Sequence, residues 1–120
     1  MNERRDDARL LEAARRGEPD AVQQFLVRMR CVPRILSAKN AEIGTPLTPG
    51  ELEDVTQETL LAVWRKLAQF DGRARLETWV FRFCVIELSK RLRKRGRHAA
   101  RTAPLTEAEE KSAPSEESAF

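Results

Sequence analysis

The sequence predicts an all-α fold, a compact four-helix bundle with an acidic C-terminal tail that lacks order, and three observations point there. Apolar residues recur at three- and four-residue spacing, proline and glycine fall where helices start and stop, and no stretch alternates as a strand would. The chain of 120 residues suits one domain, assigned to residues 6–98, with 99–120 as a disordered tail or a truncated interdomain linker. A charged fraction of 34% beside 41% hydrophobic residues fits helices with one solvated face.

The first helix should begin with Asp6 or Asp7 as its N-cap, turn Leu10, Leu11 and Ala14 inward, and stop at Gly17. The second should start around Glu18-Pro19-Asp20, where proline is tolerated and acids favour the helix dipole. It carries Val22, Phe25, Leu26, Met29, Val32 and Leu36 inward, and Pro33 should kink or split it. Ala41 to Pro49 contains glycine, two prolines and no period, so it is expected to be a loop. Thr48-Pro49-Gly50-Glu51 has the form of a capping box and fixes the start of the third helix.

That third helix should reach Ala68 to Phe70, with Leu52, Val55, Leu60, Val63, Leu67 and Phe70 inward. Asp54, Gln57, Glu58, Leu61 and Arg65 share another face; from spacing alone it is either solvated or a partner surface. A loop at 71–75 precedes a fourth helix from Leu76 or Glu77 to Arg95, ended by Gly96. There Trp79, Val80, Phe83, Cys84 and Leu88 face a core, while Arg82, Ser89, Arg93 and Arg97, with Ile86 between them, line a different side.

Charge narrows the function. The net charge is +3, yet residues 82–101 hold eight bases against one acid, and residues 102–120 hold five acids against one base. A basic helix end can neutralise successive phosphates and release their counterions, or it can be merely solvated. Arg73 and Arg75 beside Trp79 place charge near an aromatic ring, a combination that single-stranded nucleic acid uses, although Trp79 also reads as core. No phosphate-binding glycine loop, metal-ligand spacing or activated nucleophile is present, so the chain reads as a binding protein rather than an enzyme, with no cofactor. Cys31 and Cys84 read as free thiols, and His98 among arginines as a surface residue. The N-terminus is polar and no apolar run could span a membrane, which together predict a cytoplasmic protein with no membrane partner.

The stretch DVTQETLLAVWRKLAQFDGRARLETWVFRF, Asp54 to Phe83, resembles region two of the sigma factors, particularly the extracytoplasmic-function group. In that family an acidic D-x-x-Q-E helix leads into W-R-K-L-x-x-F-x-G and then T-W-[LV]-[FY]-R. The resemblance implies a four-helix region-two bundle that recognises and melts the promoter minus-ten element. It implies that Asp54, Gln57 and Glu58, with Leu61 and Arg65 as neighbours, dock on the clamp helices of the largest subunit of core RNA polymerase. It further implies that residues 71–75 and the start of the last helix hold an unstacked base. The DNA-facing residues expected are Arg73, Arg75, Thr78, Trp79, Arg82, Ile86, Ser89, Lys90, Arg93 and Arg97. The family also admits an anti-sigma factor as a partner.

Three departures accompany the resemblance. Ile86 stands where relatives carry asparagine and Lys90 where they carry aspartate, and the serines common in the turn are replaced by Ala74 and Arg75. An exposed Ile86 could touch a thymine methyl but could not hydrogen-bond a base. No helix-turn-helix for the minus-thirty-five element follows, so the sequence reads as a fragment or a stand-alone region two. A second reading is a sigma-like interaction module that binds polymerase or a regulator without promoter-specific initiation.

Overall fold

A computed structural model describes residues 3–100, which form five α-helices and one 3-10 turn with no strand among the described residues. The all-α expectation holds. Of the tail expected over 99–120, Ala99 and Ala100 instead continue the last helix; the rest of it, from residue 101, and the side chain of His98 lie outside the described residues.

Helix α1 (Glu3–Arg15) ends in a Schellman motif, with the Gly17 amide donating to Ala14 and the Glu18 amide to Ala13. Gly17 has φ +83°, which explains glycine there. Asp6 and Asp7 do not cap this helix but lie inside it, and Asp7 is buried. Helix α2 (Pro19–Arg28) has Glu18 as N-cap residue and proline in its first turn. Its ten residues bury Ala21 and Phe25, whereas Leu26, expected inward, is 54% exposed.

The long second helix expected from the sequence is divided at Met29 and Arg30, and α3 (Cys31–Glu42) follows. Pro33 sits in the first turn of α3, where its missing amide hydrogen costs nothing, and its ring would have clashed with the Met29 carbonyl in an unbroken helix. Helix α3 runs into the segment expected to be loop, and its last turn closes with Thr45 donating to the Asn40 carbonyl. The connection is not all solvent-facing. Leu47 is 1% exposed, and its amide and carbonyl are both satisfied by the side chain of buried Asn40, each at 3.1 Å.

Helix α4 (Pro49–Arg65) opens with the expected capping box: the Glu51 amide donates to Thr48 Oγ1 and the Thr48 amide donates to Glu51 Oε1. It stops earlier than expected, and a 3-10 turn (Leu67–Gln69) brings Leu67 and Phe70 into the core. Helix α5 (Leu76–Ala100) continues through Gly96, which keeps negative φ; an exposed glycine costs about 1 kcal/mol relative to alanine, too little to stop a long helix.

Helix α1 packs on α2 and on the 3-10 turn, while α3, α4 and α5 pack on one another. One hydrophobic cluster joins them, including Leu11, Phe25, Val32, Leu36, Val55, Val63, Leu76, Val80 and Cys84. The arrangement leaves one face of α4 and one side of α5 uncovered by other helices, and these carry the candidate residues. Among the described residues, no helix is long and apolar enough to cross a membrane.

Candidate functional site

Three-residue and four-residue steps along α4 bring Asp54, Gln57, Glu58, Leu61 and Arg65 onto one exposed face. Leu61 is 52% exposed, and Trp64, three residues on, is 44% exposed. The tryptophan leans on the Phe25 ring with centroids 5.6 Å apart, so α2 steadies it. Trp64 was missed as a surface residue by the sequence reading, although its three-residue spacing from Leu61 was the available signal. The resulting surface joins two carboxylates, an amide and two apolar side chains, a combination suited to docking a protein.

The acidic edge of this face meets α5. Arg91 Nη2 donates to Glu58 Oε1 at 3.0 Å and lies 3.6 Å from Asp54 Oδ2. One turn further, Arg95 Nε lies 3.3 Å from Glu51 Oε2. The hydrogen bond with Glu58 raises the Arg91 pKa, and Glu51 is held below the usual carboxylate range chiefly by the Thr48 amide. Arg91 and Arg95 therefore serve as counter-ions to α4, and the basic run of α5 divides in two.

The other portion lies on a different side. At about 100° per residue, Arg82, Lys90, Arg93 and Arg97 fall within an arc of about 80° on α5. Arg82, Lys90 and Arg97 are exposed, Ser89 and Arg93 half-buried, and Lys90 Nζ lies 3.3 Å from Glu87. Ile86 shares that arc but is only 8% exposed, which corrects the expectation of an exposed apolar contact. Helical spacing gives the direction of a side chain and not its cover, and an aliphatic group flanked by long basic chains gains by leaving water. Ile86 accordingly lacks the exposed surface that a contact with a base needs.

The segment between Phe70 and α5 is held from within and flanked by aromatic contacts. Asp71 Oδ1 accepts from the Arg73 amide at 3.0 Å, Asp71 Oδ2 lies 3.1 Å from Arg73 Nε, and Gly72 turns the chain at φ +79°. In the first turn of α5, Trp79 is half-buried and meets Phe70 and Phe83 edge to face, with centroids 5.1 and 4.7 Å away. Trp79 thus ties the first turn of α5 to Phe70, the residue that leads into the 71–75 segment, while Arg73, Arg75 and Thr78 are exposed. Of the expected site residues, Arg73 and Arg75 lie in the turn and Thr78, Trp79 and the basic arc on α5, apart from the α4 face.

Among the described residues, no group of histidine, cysteine or acidic side chains is placed to hold a metal ion. Residues 47–98 match the family model for sigma-70 region 2, a span that contains the α4 face, the turn and the α5 arc. No curated protein and no solved structure matches the chain significantly.

Proposed function

We propose, from the match of residues 47–98 to the sigma-70 region 2 family, that the chain binds core RNA polymerase through α4 and helps recognise and open the promoter minus-ten element through the 71–75 turn and α5. The observation that carries the reading is the exposed Asp54-Gln57-Glu58-Leu61 face, which lies inside the family segment and has no helix packed over it. In the proposed complex this face docks on the clamp helices of the polymerase largest subunit, with Trp64 extending the apolar part.

The DNA-facing half would work by preorganisation. Unstacking a promoter base costs a few kcal/mol, and that cost is offset by a turn already fixed by Asp71 and flanked by the Phe70–Trp79 contact, together with basic residues that draw the phosphates. Arg73, Arg75, Thr78, Arg82, Ser89, Lys90, Arg93 and Arg97 are assigned to this surface. The extracytoplasmic-function type is the form proposed, on the order of motifs from Asp54 to Arg82.

The test is equilibrium binding of the chain to core polymerase, followed by capture of a fluorescent single strand carrying a minus-ten element. The proposal expects polymerase binding that falls when Asp54, Gln57 and Glu58 become alanine with helicity intact, and strand capture that requires polymerase. Undiminished polymerase affinity in that folded triple variant would remove the α4 assignment. Binding to polymerase without selective strand capture would leave an interaction module in place of a promoter-opening one.

A further inference from the structure

Asp7 was expected to cap its own helix and instead caps a distant one. Its side chain, 5% exposed on α1, accepts a hydrogen bond from the Leu76 amide at 3.0 Å through Oδ2. Leu76 is the first residue of α5, so Asp7 satisfies one of the amides that a helix start leaves without an intrahelical partner. The other carboxylate oxygen, Oδ1, accepts from Arg28 Nη1 at 3.0 Å. Arg28, at the end of α2, also donates from Nε and Nη2 to the two oxygens of Glu77, at 2.7 and 2.9 Å. This bidentate pair fixes the orientation as well as the position of the second residue of α5.

The network ties α1 and α2 to the point where the 71–75 turn becomes α5. Two of its three side chains, Asp7 and Arg28, lie outside the 47–98 segment that matches the family model. The turn has its own bond from Asp71 to Arg73 at one end and this anchor at the other. Arg75, Thr78 and Trp79 are within three residues of Leu76, so a shift of the α5 start would carry them with it.

We infer that Asp7 and Arg28 are positioning residues for the strand-opening turn, holding the first turn of α5 at the place where the unstacked base is received. The inference rests on the proposed promoter-opening role. Neither residue belongs to the exposed α4 face, so their removal should separate DNA capture from polymerase binding.

The experiment uses the full chain saturated with core polymerase and the fluorescent minus-ten single strand, for the unmodified protein and for Asp7→Ala and Asp7→Asn. Asp7→Ala should weaken strand capture by about tenfold, the equivalent of one charge-assisted hydrogen bond, at unchanged polymerase affinity. Asp7→Asn keeps an oxygen for the Leu76 amide but turns an N–H toward Arg28, so it should recover only part of the capture. Unchanged capture in folded Asp7→Ala overturns the inference, as does an equal loss of capture and polymerase affinity, which would indicate a purely structural role. Should Asp7→Ala not fold, Arg28→Gln and Glu77→Gln carry the same comparison, and the absence of a split in them overturns it equally. An unmodified chain that binds polymerase but captures no strand would defeat the promoter-opening role itself and the inference with it.

Discussion

Arg91 of α5 reaches across to α4 and donates to Glu58 at 3.0 Å, so a residue of the basic run is a counter-ion to the acidic edge of the exposed α4 face. Arg91→Gln should therefore leave the salt dependence of DNA binding unchanged, whereas Arg97→Gln should lower its slope by about one unit for a lost phosphate contact. The stability change for Arg91→Gln should stay below about 1 kcal/mol, since the Glu58 and Asp54 side chains are 53% and 65% exposed and solvent screens the pair. Titrations of polymerase-bound chain at several salt concentrations would check this. An equal loss of slope in both variants would place Arg91 on the DNA.

Asn40 and Leu47 supply a prediction about stability. The Asn40 amide group bridges both main-chain polar groups of a leucine that is 1% exposed, so Asn40→Ala leaves a buried N–H and a buried carbonyl without partners. The expected loss is about 1–3 kcal/mol per unsatisfied group, against about 1 kcal/mol for removing the Thr48 cap with Thr48→Ala. Urea unfolding of the two variants gives the ranking. If Thr48→Ala is the more damaging, water must reach the Leu47 backbone.

Local signals explain what could be read ahead of the structure. Gly17, Pro19 and the Thr48-Glu51 pair act within four residues of chain, and each marked a helix end correctly. The α4 face was legible for the same reason, because helical spacing alone gathers Asp54, Gln57, Glu58 and Leu61. Contacts between distant segments were not legible. Asp7 read as a local cap because its partner, Leu76, is 69 residues away. The basic run of α5 read as one unit because its division depends on which residues α4 lies against. Leu26 had the right period for burial on a helix assumed to continue, but a ten-residue α2 buries only the line through Ala21 and Phe25.

The two thiols should differ in reactivity. Burial pushes the Cys84 thiol up to about 12, and burial also raises half-buried Cys31, helped by the Glu77 charge and opposed by nearby Arg34 and Arg28. Thiolate is the reacting species, so alkylation near pH 8 should modify Cys31 first and leave Cys84 intact until the chain is unfolded. Mass measurement after timed alkylation, with and without denaturant, would show one adduct and then two. Simultaneous modification of both in the native chain would mean that α5 opens readily around Cys84.

Acid should weaken the anchor of α5 in a defined direction. Glu77 is held below the usual carboxylate range, chiefly by the hydrogen bonds from Arg28, which itself stays charged at every accessible pH. A carboxylate with a depressed folded-state pKa binds protons more readily in the unfolded chain, so its contribution is complete above the unfolded value. It is lost as the pH falls through the lower folded-state value. The stability difference between the unmodified chain and Glu77→Gln should accordingly be largest above about pH 5 and shrink as the pH falls through the folded-state value. The Glu77 side chain is 46% exposed, so solvent screening keeps the difference small, and a series of urea unfolding curves at closely spaced pH is needed to resolve it. Glu51, lowered by the Thr48 amide, titrates in the same direction and will remain in the variant, so some acid sensitivity should persist there. A difference that stays constant from neutral pH down through the acid range would show that the Arg28 pairing does not favour the ionised form of Glu77.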